Sequence, residues 1–199
     1  MSGRQLGGWL AEAGGAVVSV LFPAGCRLCE KLLTRASRVP ICEECLASFA
    51  SMPERVCEVC GGAPETSLLG TAQQQDPARD SGSDPLVWAA CQVRTYTFDP
   101  ARSHAVFDTA LVHAIVMLKF ERRIEPLGAW FAERLAEVVR KEAETLAADV
   151  VVPVPLHRQR ERGYNQADLI AKPLAKRLGL PYRGVLLMRT RPAPGQTGT

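Results

Sequence analysis

The chain has 199 residues, enough for one medium domain or two small ones, and its 47% hydrophobic content excludes wholesale disorder. A net charge of +3 gives no strong nucleic-acid or membrane signal. The cations are 19 Arg against 5 Lys, a bias that comes either from genome composition or from planar recognition of phosphate and carboxylate.

Residues 1–22 carry Trp9, Leu10, Ala13, Val17 and Leu21 at helical spacing, which predicts an amphipathic helix packed on the domain behind it. Ala24-Gly25-Cys26 has the look of a lipoprotein cleavage site. Glu12 interrupts the apolar stretch, however, and Pro23 stands where such a site carries Leu, so the expected location is cytoplasmic. No apolar run reaches the roughly 18 residues of a membrane span. Residues 23–61 hold six of the seven cysteines. Residues 62–87 are rich in Gln, Asp, Ser, Gly and Pro without periodicity, and are expected to form a flexible insertion.

Residues 88–199 read as an α/β domain. Phe107, Leu111, Ala114, Ile115 and Leu118 mark one helix face. Leu127, Trp130, Phe131, Leu135 and Val138 mark a second, with Pro126 near its first turn. Asp149 to Pro155 is a β-branched run closed by proline, read as a buried strand. Asn165 can cap a third helix bearing Ala167, Ile170, Leu174 and Leu178 and ending at Gly179, with Pro173 expected to kink or divide it. Gly184 to Met188 reads as a second strand. Strand, loop, helix and strand make one βαβ unit, so the predicted sheet is parallel.

The cysteine spacing is Cys26-x2-Cys29, Cys42-x2-Cys45, Cys57-x2-Cys60 and a single Cys91. Each CxxC puts two thiolates on one knuckle, and two knuckles complete a tetrahedral four-sulfur zinc site. Cys26, Cys29, Cys42 and Cys45 satisfy that arithmetic. Cys57, Cys60 and Cys91 give three sulfurs, and Trp88 holds the place of the missing fourth. That second site is either completed by His104 or water, or has decayed and left Cys91 a buried apolar residue. Disulfides need an oxidising compartment, and a redox CxxC would not recur three times. An iron–sulfur cluster would use the same thiolates.

Between the expected strand and the Asn165-capped helix lie His157, Arg158, Arg160, Arg162 and Gly163. A helix N-terminus offers free N–H groups to an anion, and arginines add charge-assisted hydrogen bonds. The stretch reads as a phosphate or pyrophosphate site, or else as a solvated basic loop.

Taken together the motifs resemble the ComF family, phosphoribosyltransferase-like proteins with an N-terminal zinc ribbon, associated with DNA uptake in competent bacteria. The likeness rests on Leu21-Phe22-Pro23 before Cys26-x2-Cys29, the further CxxC pairs, Phe98-Asp99 and Leu118-Lys119-Phe120. It extends through Pro153 to Leu156, Arg162 to Gln166, Arg189-x-Arg191 and Gln196-Thr197-Gly198. The resemblance implies a phosphoribosyltransferase-like (Rossmann-like) parallel sheet behind a double zinc ribbon. It further implies that Leu156 to Gly163 contacts pyrophosphate, through Arg162 and Gly163 first and Lys119 and Arg158 second. Phosphoribosyl pyrophosphate is the implied ligand, with Mg2+ in a complete domain, and the DNA-uptake machinery the implied partner. Trp88 departs from an expected cysteine and Ala193 from an expected Thr. The family's acidic pair followed by Thr-Thr-Gly is not found before Thr199, so a truncated form without transferase activity is expected. Two other readings stay open. One is a non-catalytic ribbon that docks a partner protein or single-stranded DNA through Arg27, Lys31, Arg35 and Arg38; the other is an inactive fragment.

Overall fold

The computed structural model describes residues 24–33, 38–63, 86–93, 98, 100–121, 124–156 and 163–190. The expected helix at 1–22, most of the expected insertion at 62–87 and the arginines Arg158, Arg160 and Arg162 lie outside them. Six helices follow in chain order: α1 (Glu43–Ala47), α2 (Ala89–Val93), α3 (Thr109–Phe120), α4 (Glu125–Lys141), α5 (Ala143–Leu146) and α6 (Gln166–Leu178). No helix among the described residues is long and apolar enough to cross a membrane.

Helix α3 begins where the Asp108 carboxylate accepts the Leu111 N–H at 2.8 Å, satisfying a donor that the first turn leaves free. The other carboxylate oxygen takes the Ala50 N–H at 3.4 Å, so one side chain caps the helix and holds the chain leaving the first ribbon. Asp108→Ala is expected to cost about 1–2 kcal/mol in urea unfolding; a shift indistinguishable from zero would show that solvent replaces both bonds. Leu111, Ala114, Met117 and Leu118 face inward, while Phe107 precedes the helix and is exposed.

Helix α4 opens with Glu125-Pro126 and ends with Arg140-Lys141, matching the helix dipole at both ends. It buries Leu127, Gly128, Phe131, Ala132 and Ala136, a stripe recurring every three to four residues. Helix α6 packs along α4. Asn165 caps it by accepting the Ala167 N–H at 3.0 Å, and it stops at Gly179. Contrary to expectation it is not divided: the helix runs unbroken from Gln166 to Leu178 through Pro173.

Pro173 has no N–H, so the Leu169 carbonyl four residues earlier loses its helical donor. A Cβ built on Gly128 of α4 would lie 2.5 Å from that carbonyl oxygen. The hydrogen that glycine carries there instead points a weak C–H donor at the freed acceptor. The carbonyl that the proline leaves free is thus the one that Gly128 packs against.

The expected α/β fold with a parallel sheet is not what the described residues form. They contain no strand, only isolated bridges, and are otherwise helix and loop. Val151 does pair in parallel with Tyr182: its N–H donates to Pro181 O at 2.9 Å and its carbonyl accepts from the Arg183 N–H at 3.0 Å. The next donors a parallel ladder needs, on either side, are the amides of Pro181 and Pro153, and neither exists. The ladder stops after one rung. The expected second strand is instead a turn at Gly184–Val185 and a bend at Leu186 followed by residues outside any strand, and Val185 to Met188 are all more than half exposed.

One core joins the cysteine-rich segment to the helices. Cys26, Ile41 and Phe49 bury against Leu111, Leu118, Leu127 and Phe131. Phe49 meets Trp130 edge-on, with ring centroids 5.5 Å apart. Residues 50–52 run antiparallel to 104–106, with Val106 N–H on Ala50 O at 2.8 Å, and so tie the ribbons to the start of α3.

Candidate metal centres and the loop before α6

Cys26 begins a knuckle closed by three backbone bonds. Its N–H reaches Lys31 O and its carbonyl accepts the Glu30 N–H, both at 2.8 Å, while Arg27 N–H holds Pro40 O at 2.9 Å. The Cys26 sulfur accepts the N–H groups of Leu28 at 3.4 Å and Cys42 at 3.3 Å. Burial pushes the Cys26 thiol up, but these amides together with that of Cys29 outweigh it and bring it down to about 6. The anionic sulfur that a metal needs is therefore favoured in place.

The sulfurs of Cys26, Cys29, Cys42 and Cys45 all lie within 4.8 Å of one another, and Cys29 and Cys42 are 3.6 Å apart. A tetrahedron with zinc–sulfur bonds of about 2.3 Å has edges of about 3.8 Å. The four sulfurs thus fit a zinc ion with small adjustments. Burial, then the neighbouring sulfurs, pushes the Cys45 thiol upward, because four thiolates without a cation repel.

The second cluster is Cys57, Cys60 and Cys91, again within 4.8 Å of one another. Cys57 is fully buried and Cys91 nearly so. His104, one expected completion of this site, is not there. Its ring stands edge-on to Trp130 with centroids 6.4 Å apart, and burial followed by the charge of Arg134 lowers its pKa. Among the described residues no His, Asp or Glu joins either cluster. All-sulfur donor sets suit zinc; the Mg2+ expected with phosphoribosyl pyrophosphate in a complete domain belongs to neither cluster and finds no support among the described residues.

Arg102 docks this second knuckle on the helices, a role its sequence context does not reveal. Its guanidinium donates to Glu58 O at 2.9 Å and to the Glu142 carboxylate at 3.2 Å, with the side chain only 11% exposed. Beside it, the Ala101 N–H donates to Val59 O at 2.9 Å.

The basic residues expected to make the first ribbon a nucleic-acid surface are partly neutralised. Arg27 pairs with Glu121, and Lys31 pairs with Glu44 at 2.7 Å. Arg38 is exposed, and Arg35 lies outside the described residues.

The loop before α6 is visible at its two ends. Asn165 caps α6 with its oxygen and donates its Nδ2 to Val154 O at 3.0 Å, which closes the base of the loop. Gly163 sits at φ +66°, a conformation L side chains rarely adopt, with nothing within 4 Å of where a Cβ would be. The Tyr164 hydroxyl donates to Leu118 O at 3.1 Å, which brings the loop against the end of α3. Lys119 lies next along, half-buried, with its ammonium 5.3 Å from the Phe120 ring centroid.

A cavity of about 490 Å³ opens at this point, lined by Gly163, Tyr164, Asn165, Glu125, Asp168 and Lys172 among others. The Tyr182 hydroxyl donates to Asp168 at 2.5 Å, and burial followed by that bond pushes the tyrosine up to about 12. Sequence reasoning missed Glu125, Asp168 and Lys172, because their convergence depends on how α4 and α6 cross.

Residues 17–76 match a family described as the double zinc ribbon domain. The DNA utilization protein YhgH of Escherichia coli (strain K12) is 30% identical over 155 residues, which are 76% of this chain and 67% of that protein. The Salmonella typhimurium protein of the same name is 31% identical and the Shigella flexneri one 29%, over the same shares. No solved structure matches the chain.

Proposed function

The chain belongs to the family of the DNA utilization protein YhgH, and on that premise we propose that it serves DNA uptake or use by binding a phosphorylated ligand at the loop before α6. The zinc ribbons are the scaffold in this reading and the loop is the working part. The ligand class is phosphoribosyl pyrophosphate, as in ComF-type proteins, and the role assigned to these residues is binding, with no bond-making step.

The observation that carries the reading is Gly163: a left-handed backbone with open space above it, just before the capped start of a 13-residue helix and, in sequence, just after Arg158, Arg160 and Arg162. That arrangement lets a phosphate approach main-chain N–H groups closely. Arg158 and Arg162 supply charge-assisted bonds to phosphate oxygens, and Lys119 supplies further positive charge from the end of α3. The carboxylates of Glu125 and Asp168 on the cavity wall suit the hydroxyls of a sugar, since an ionised carboxylate only accepts hydrogen bonds.

The reading of the ribbon as a single-stranded DNA surface is weaker. Two of its cations are already paired with carboxylates, and a paired cation contributes less to phosphate binding and counterion release.

Calorimetric titration of the whole chain with phosphoribosyl pyrophosphate tests the proposal. Binding is expected for the wild type, and Arg162→Ala is expected to weaken it by about 1.5–3 kcal/mol, the worth of a hydrogen bond to a charged group. A wild-type titration without saturable heat, with the ribbons still folded, would overturn the reading.

A further inference from the structure

The two ribbons repeat one backbone design. In the first, the Cys26 carbonyl accepts the N–H four residues on (Glu30) and the Cys26 N–H reaches the carbonyl five residues on (Lys31). In the second, Cys57 makes the same two bonds, with Gly61 at 2.8 Å and Gly62 at 3.0 Å. The residue after the second sulfur is left-handed in both, at φ 62° for Glu30 and 66° for Gly61.

The repeat extends to the far side of each cluster. The Cys26 sulfur accepts N–H groups from Leu28 and Cys42, with that of Cys29 also near, and around the Cys57 sulfur the backbone N–H groups of Cys60, Trp88 and Val59 stand in the corresponding places. Trp88 therefore holds the backbone position that Cys42 holds in the first ribbon, and Cys91 lies three residues beyond it as Cys45 does beyond Cys42. The register of a third ligand is intact; only its sulfur is missing.

The indole does not replace that sulfur. Its Nε1–H donates to Gly62 O at 3.2 Å, which fixes the ring beside Cys60. A Cβ on Gly62 would touch both the Cys60 sulfur, at 3.3 Å, and the indole nitrogen, at 3.5 Å. Trp carries no lone pair able to bind a metal, because the indole nitrogen is a donor only. Three sulfurs remain gathered, and no further His, Cys, Asp or Glu among the described residues joins them.

We propose that the second centre holds zinc through Cys57, Cys60 and Cys91 and keeps its fourth coordination position for an exogenous monodentate ligand. Three protein ligands and an open corner are the arrangement of a reactive zinc site, whereas four sulfurs make a closed one. Water fills the corner in the resting protein, and a nitrogen or sulfur donor displaces it. The inference rests on the zinc reading of the cysteine clusters and is independent of the phosphate loop.

Cobalt(II) titration of the reduced, metal-free whole chain tests it. Two equivalents are expected to bind, with thiolate-to-cobalt charge-transfer intensities in the ratio four to three, following the sulfurs in the two clusters. Added imidazole is expected to shift the visible bands of the second equivalent and leave the first unchanged. Trp88→Cys is expected to convert the second spectrum to the four-thiolate form, abolish the imidazole response and tighten that step by roughly tenfold or more. Cys91→Ser should remove the second equivalent alone. A single equivalent in the wild type would overturn the proposal, as would a second equivalent whose bands ignore imidazole. Both of those readouts use the wild-type chain, so they stand even where the Trp88→Cys chain fails to fold.

Discussion

Stripping the metal from this protein with a strong chelator is expected to unfold the helical core along with the ribbons. Cys26 is 2% exposed and packs in the same cluster as Ile41, Phe49, Leu118 and Leu127, so the first knuckle is one wall of the core. Zinc binding by such knuckles contributes about 10–16 kcal/mol at neutral pH, against a typical domain stability of about 5–15 kcal/mol. Without the metal the four sulfurs lose the bonds that join the two knuckles, and the raised Cys45 thiol stays protonated. Circular dichroism during a thermal melt measures this directly. The expected result is loss of the cooperative helical transition on adding chelator, and its return when zinc is restored. A melt that keeps its midpoint within a few degrees would show that α3, α4 and α6 stand without the ribbons.

The second large effect is expected at Gly128. Replacing it with Ala puts a methyl group 2.5 Å from the Leu169 carbonyl oxygen and 2.8 Å from the Leu169 Cβ. The obstacle is helix backbone, which cannot rotate away as a side-chain tip can, so α4 and α6 must separate. Overpacking of this kind costs about 1–3 kcal/mol, and Gly128→Val should exceed the alanine change. Helix propensity runs the other way, favouring Ala over Gly by about 1 kcal/mol, so a net loss isolates the packing. Because Glu125 of α4 and Asp168 of α6 line the same cavity, affinity for the proposed ligand should fall with stability. Urea unfolding of Gly128→Ala that matches or exceeds the wild type would show that the helices are free to move apart.

Local signals in the sequence carried the features that depend on neighbours along the chain. Asn165 and Gly179 bound α6 because a cap and a stop act on adjacent amides. The CxxC pairs announce their clusters because two residues fix a knuckle. Features set by distant partners were not legible. The sheet expectation failed on register: the run around Val151 meets Tyr182, not Gly184 to Met188, and at that register prolines occupy both neighbouring donor positions. The prolines were in plain view, but the partner that made them decisive was not. Pro173 likewise breaks no helix, because its effect is a carbonyl offered to Gly128, forty-five residues away in sequence. The contacts of Arg102 and the cavity shared by Glu125 and Asp168 emerge only from the packing of elements that no local pattern connects. The loop before α6 sits between these cases, with its cap legible and its cavity not.

The single-rung bridge at Val151 bears on how the chain behaves in company. Val154 and Val185 to Met188 are exposed, apolar and β-prone, the composition that recruits strands from other molecules. Intermolecular stacking needs an uninterrupted row of amide donors; Pro153 and Pro155 break that row on both sides of Val154 and Pro181 breaks it beside Tyr182, whereas Val185 to Met188 keep all of theirs. Along residues 151–155 the prolines that end the Val151–Tyr182 ladder after one rung also deny a neighbouring chain the donors it would pair with, which is the part of a gatekeeper.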